Sequence, residues 1–198
     1  MAHIDYFFAT ISPFTYLAGT RLEEVAARHN ATLTYKPMDI MNVFSRTGGT
    51  PPKDRHPARQ AFRLEEIRRS GIKNQMPVNL KPAFWPTNPA PSSYAIIAAQ
   101  KAGGGDMGAL VHGFTRACWS EDLNIAEDDV VRQILEAAGF DGALADSGML
   151  QGAEEYAANT EEAVNRNVFG APTYIVGDQN FWGQDRIEDV DLYLSGKL

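Results

Sequence analysis

The sequence predicts an α/β fold in which a β-α-β half and a β-β-α half are separated by a large all-helical insertion. Three observations predict it. Residues 4–9, IDYFFA, form a β-branched and aromatic run that meets Ser12-Pro13, and a second such run, TLTYKPM, follows at 32–38. From about residue 57 to 167, apolar residues recur at helical spacing with no strand pattern among them. A short strand PTYIV, the turn residues GDQN and an amphipathic segment then close the chain.

In chain order, Ser12-Pro13 is a helix-start signal, and Phe14, Leu17, Ala18, Leu22, Val25 and Ala26 fall on one face of a helix that stops near Asn30. With the strand at 32–38 this makes a right-handed βαβ unit. Residues 40–56 read as a loop. Helices are predicted at 57–70, ending at Gly71, then at 92–102, capped by Ser92 or Ser93, and at 107–119. Two more are predicted at 127–138, ending at Gly139, and at 153–166, with a shorter one at 142–150. The proline-rich stretch 76–91 interrupts them. The strand 172–176 turns through GDQN to Phe181 and Trp182, and a helix at 185–194 follows. Asp185 and Glu188 have the spacing of a capping box there, and Gly196 is the stop.

At 198 residues the chain is one domain, or one domain carrying an insertion, and 44% hydrophobic with 22% charged residues is an ordinary globular balance. A net charge of −7 disfavours nucleic acid or an anionic membrane as partner. No stretch approaches the roughly 20 apolar residues that span a bilayer. The first residues, MAHIDYFFATIS, lack a basic flank followed by an apolar run, so a cytoplasmic protein is expected. Cys118 is the only cysteine, which excludes an intramolecular disulfide, a CxxC pair and a cysteine zinc cage. His3, His29, His56 and His112 have no paired spacing, so no metal site is expected.

Three local motifs occur in order: SPFTYLA at 12–18, VFGAPTYIV at 168–176 and FWGQDR at 181–186. Each is weak alone. Together, over nearly the whole chain, they resemble the 2-hydroxychromene-2-carboxylate isomerases and kappa-class glutathione transferases. The resemblance implies a DsbA-like thioredoxin fold, with residues 1–45 and 168–198 as the thioredoxin-like domain and 46–167 as an inserted helical domain.

Redox thioredoxin folds carry a cysteine at the first helix N-terminus, where unsatisfied N–H groups and the dipole favour an anion. Here that place reads Ser12-Pro13-Phe14-Thr15. The resemblance implies that Ser12 donates to the thiolate of a bound glutathione; the residues alone read as an N-cap followed by proline at the first helical position. Ala171-Pro172 corresponds to the family's cis-proline, which aligns the preceding backbone to pair with an extended peptide. Without the family, a trans proline opening an edge strand is the plainer reading. Trp182-Gly183-Gln184-Asp185 resembles the segment gripping the γ-glutamyl end, with backbone N–H groups on its carboxylate and Asp185 on its amine. Alone, Asp185 reads as the N-cap of the last helix.

On the substrate side the implied anchor for a carboxylate is Lys53 or Arg55. Both sit in a basic stretch with Arg59, Arg63, Arg68 and Arg69 that otherwise reads as a solvated helix face. Phe44, Phe84, Trp85 and Trp119 would wall an aromatic pocket or fill the core, with Trp85 and Asn88 placed to line a cleft from the proline-stiffened loop. Cys118 reads as a buried small hydrophobe. Relatives carry an aspartate where this chain has Ala9. The implied activity is glutathione-dependent isomerisation of an unsaturated aromatic 2-oxo acid by thiolate addition, rotation and elimination. The alternatives are a kappa-type transferase releasing a stable conjugate and a redox-inactive thioredoxin-like module that binds peptides. The family often dimerises, so a homodimer is expected.

Overall fold

The strand β1 (His3–Phe8) sends Ile4, Tyr6 and Phe8 into one buried cluster, and Phe7 with the adjoining Ala9 into another. Side chains alternate across a strand, so two apolar faces mark a strand covered on both sides. In the computed structural model, which describes all 198 residues, β1 is indeed central: the sheet order is β2-β1-β3-β4. β2 (Thr32–Pro37) runs parallel to β1, whereas β3 (Thr173–Val176) is antiparallel to β1 and β4 (Gln179–Trp182) antiparallel to β3.

The single helix expected from Phe14 to Asn30 is two helices, α1 (Pro13–Ala18) and α2 (Arg21–Arg28). Gly19, at φ +61, turns the chain and donates from its N–H to the Tyr16 carbonyl. The apolar stripe continues across the break, which is why periodicity did not reveal it. Residues 40–56, expected as a loop, contain α3 (Ile40–Thr47). Asp39 caps α3 by accepting from Met41 and Asn42 N–H at 3.0 and 3.1 Å, and Gly48 ends it in the left-handed region.

The insertion holds α4 (Pro57–Lys73), α5 (Ala90–Ala102), α6 (Met107–Trp119), α7 (Asp128–Ala137), α8 (Leu144–Ser147) and α9 (Met149–Asn165). α4 runs through Gly71 instead of ending there: a Cβ at that position would lie 2.8 Å from Val78 and 3.0 Å from the Met76 carbonyl, so this glycine serves close packing. The hairpin turn is tighter than GDQN, since Gln179 and Asn180 already belong to β4. The last helix, α10 (Ile187–Leu194), begins with Arg186 at its N-cap and no side-chain cap. The capping box expected from Asp185 and Glu188 is therefore not formed.

One cluster of 30 buried residues joins the Tyr6 face of the sheet to side chains from α1, α2, α4, α5, α6, α7 and α10, so the sheet and the insertion share a core. Complete burial of a side chain such as Phe8 or Leu17 contributes about 1.5–3 kcal/mol. Behind the other face, Phe7, Ala9 and Ile175 pack with Ile40 and Val43 of α3 and Ala163 of α9. An ion network rims that side: Arg166 meets Asp5 at 2.6 Å and Glu162 at 2.9 Å, and Lys36 meets Glu162 at 2.6 Å.

Candidate active site

The turn between β1 and α1 is held from three directions. Ser12 N–H donates to the Ala9 carbonyl at 3.0 Å, and the Ser92 hydroxyl donates to the Thr10 hydroxyl at 2.9 Å. The Ile11 carbonyl accepts from two indoles, Trp85 Nε1 at 3.1 Å and Trp119 Nε1 at 3.2 Å. Ser12 is extended (φ −85, ψ 125), and its Oγ accepts from Thr15 N–H at 3.3 Å. That is the N-cap, and it uses a lone pair only. The hydroxyl proton points to the Ala171 carbonyl across 3.4 Å, well beyond the usual O–H···O distance of about 2.7–2.8 Å. A stronger acceptor would take it. Pro13 has no N–H, and Phe14 N–H has no acceptor in the chain. The Thr15 hydroxyl is buried without a partner, so it is not shared with Ser12.

Facing this tip, the Ala171-Pro172 bond is cis, as the motif implied, and Ala171 N–H has no acceptor. The Pro172 carbonyl is tied to Gly183 N–H at 2.9 Å, which draws the end of β4 against the proline turn. The Trp182 indole lies over Gly170 so closely that a Cβ there would be 2.2 Å from its Nε1. Trp182 is 52% exposed and meets Phe169 edge-on at 4.8 Å. Gly183 has φ +122, a value that favours glycine.

Beyond it the N–H groups of Gln184 and Asp185 have no acceptor in the chain. The Gln184 side chain is turned inward and consumed. Its Oε1 accepts from Arg21 at 2.8 Å and Asn74 at 3.2 Å, and its Nε2 donates to the Ser70 hydroxyl at 3.3 Å. What Gln184 offers outward is its N–H alone. Asp185, freed of a capping role, is an exposed carboxylate 3.3 Å from Arg186.

The helical insertion supplies a third side. Trp85 and Trp119 lie 5.6 Å apart, and the Arg63 guanidinium covers both rings, at 5.4 and 6.0 Å from their centroids. Burial, and repulsion from Arg55, push Arg63 down to about 10. Lys53 and Arg55 form a separate group. Lys53 is exposed on a 3₁₀ turn (Pro52–Asp54), while Arg55 donates to the Thr50 carbonyl at 2.7 Å and covers the Phe44 ring at 5.7 Å. Phe44 borders the same small core cluster as Ile11 and Ala171, which places it on the flank of the tip.

Asn88 is exposed and accepts from Ala90 N–H at 3.0 Å, closing the turn into α5. Phe84 is largely exposed and Trp119 buried, so the four aromatic candidates separate into different roles. Burial, aided by Asp122, pushes the Cys118 thiol up to about 12, so it carries no thiolate at neutral pH. A shallow cavity of ≈ 310 Å³ lies between Arg46, Thr47, Val164, Asn167 and Phe169, and none of Ser12, Ala171 or residues 183–185 lines it.

Sequence reasoning set Arg63 on a solvated helix face and left Trp119 between pocket wall and core. A signal existed for Arg63: it stands four and eight residues before Ile67 and Gly71, the two buried positions of α4, and so shares their inward stripe.

The family description "DSBA-like thioredoxin domain" matches residues 3–195. A protein of Sphingobium xenophagum named 2-hydroxychromene-2-carboxylate isomerase is 30% identical, over 96% of this chain and 97% of its own length. One of the same name from Pseudomonas putida is 26% identical, over 93% of this chain and 90% of its own length. A solved structure of 2-hydroxychromene-2-carboxylate isomerase superposes with a TM-score of 0.79 at 24% identity, covering 98% of this chain and 95% of that one. The chain is thus an enzyme of the DSBA-like thioredoxin family, on the branch of the 2-hydroxychromene-2-carboxylate isomerases.

Proposed function

We propose that the chain is a glutathione-dependent isomerase of an unsaturated aromatic 2-oxo acid, with Ser12 holding the glutathione sulfur as a thiolate. The observation that carries this reading is the Ser12 hydroxyl, whose proton is held only by the Ala171 carbonyl at 3.4 Å, beside the unpaired N–H of Phe14. The relatives named as isomerases of an aromatic carboxylate support the reaction class.

The residues present suit the tripeptide. Ala171 N–H, next to the cis-proline, is free to pair with an extended backbone. Gln184 and Asp185 N–H are free for a carboxylate, and the exposed Asp185 carboxylate, whose Oδ2 meets Arg186, keeps Oδ1 for an ammonium group. When bound, glutathione supplies a thiolate that adds reversibly to a conjugated double bond and so permits rotation about it. The chain's own part is to hold that sulfur charged and in place. A hydrogen bond to a charged acceptor is worth about 1.5–3 kcal/mol, or roughly 10- to 150-fold in thiolate population below the thiol pKa. The same reading places the enzyme in the cytoplasm, where thiols are kept reduced.

Calorimetry with glutathione and product analysis test it together. Glutathione should bind, and the substrate should be isomerised with glutathione returned. A conjugate accumulating one for one with substrate loss would make the enzyme a kappa-type transferase. Binding of extended peptides without glutathione would make the chain a peptide-binding module.

A further inference from the structure

We propose that Arg63 is the anchor for the substrate carboxylate, holding an aromatic acid against Trp85 at the mouth of the Ser12 site, with the buried Trp119 as backing. This rests on the function proposed above for what the acid becomes, but not for its binding. A guanidinium presents five N–H donors and stays charged at neutral pH. Arg63 is half-buried, yet none of its donors meets an acceptor and no carboxylate lies within ion-pair distance, although the chain carries 25 acidic residues. The acid best placed by helical spacing is taken: Glu66 pairs with Arg69 at 2.6 Å, and Glu65 pairs with the same arginine at 2.7 Å. The charge that acts on Arg63 is another cation, Arg55. An unpaired cation placed in such surroundings is costly unless an anion completes it.

The position fits a substrate rather than a structural ion. Arg63 lies over the faces of the two indoles whose N–H edges both hold the Ile11 carbonyl, the residue before Ser12. Ring faces therefore separate the guanidinium from the Ser12 tip by about one indole. An aryl acid whose double bond lies next to its carboxyl end spans that interval, with its carboxylate on the guanidinium fork.

The test uses the full chain without glutathione, and trans-cinnamate and cinnamamide as probes that share a ring and an alkene but differ in charge. Calorimetry should show cinnamate binding at least about 10-fold more tightly than cinnamamide. Arg63→Met, which keeps the stem over the indoles, should abolish the preference, and Arg63→Lys should retain only part of it. Near-ultraviolet circular dichroism of the tryptophans reports whether each variant is folded. If Arg63→Met does not fold, the comparison of wild type with Arg63→Lys decides. No binding of cinnamate, no preference for it, or a preference intact in a folded variant overturns the assignment. In turnover, Arg63→Lys should raise KM about 10-fold or more and leave kcat within a few-fold. If glutathione fails to bind while Arg63 still selects the acid, the thiolate reading falls and the carboxylate site stands. The reverse pattern removes the site and spares the reading.

Discussion

The two walls of the Ser12 mouth are made of different material. On the hairpin side, what faces outward is main chain: the N–H groups of Ala171, Gln184 and Asp185. On the insertion side it is side chain: the Trp85 indole and an unpaired guanidinium, backed by the buried Trp119. Main-chain donors are set by the fold itself, and any sequence adopting the same turns presents them. Side chains can be exchanged singly with the backbone unchanged. The first wall suits a main-chain partner, which the proposed function takes to be glutathione, and the second suits a substrate recognised by individual side chains.

The comparison can be broken from either side. The largest effect is expected at Gln184, which looks like a binding residue in sequence and is a structural knot in space. Gln184→Ala removes the side-chain acceptor that Arg21 and Asn74 share, leaving each its Leu17 carbonyl, and should cost about 1–3 kcal/mol in urea unfolding. A loss below about 0.5 kcal/mol would show that the knot holds nothing. Asp185→Asn should do the opposite, weakening glutathione binding about 10-fold while leaving stability within about 0.5 kcal/mol, because the carboxylate caps no helix. If stability falls instead, Asp185 supports the fold and not the ligand.

Trp119→Phe keeps the ring beneath Arg63 and removes one of the two donors on the Ile11 carbonyl. It should cost about 1 kcal/mol and blunt turnover, with cinnamate binding hardly changed. The smallest effect belongs far from both walls, at Asp5. Burial alone would raise that carboxyl, but Arg166, Lys36 and His3 outweigh it and hold it below the usual range. Its stabilising contribution is thus complete above the unfolded value near 4, and it is lost as pH falls through the lower folded value. Asp5→Asn should flatten the acid limb of stability against pH and leave glutathione affinity unchanged.

These contrasts also mark what the residues alone could tell. The cis-proline turn, Ser12 at a helix start and the helical insertion were legible because motif, pattern and order agreed. The break at Gly19 was not, because α1 and α2 continue one apolar stripe on either side of it. α3 was missed because eight residues give too few periods, although Asp39 and Gly48 marked its ends. Arg63 was hidden among the cations of 51–69, since only three-dimensional packing distinguishes an arginine over two indoles from Arg69, solvated and paired with its helical neighbours. The inward turn of the Gln184 side chain was hidden for a similar reason: a polar residue at a turn has no sequence mark for facing inward or outward.

The central claim is that the Ser12 hydroxyl gives up its long contact with Ala171 to hold a thiolate. Ultraviolet thiolate absorbance of glutathione, titrated against pH on the wild type and on Ser12→Ala, measures this directly. The wild type should bind glutathione with a thiol pKa about one to two units below that on Ser12→Ala. Identical titrations on the two proteins, with glutathione bound to both, would contradict it.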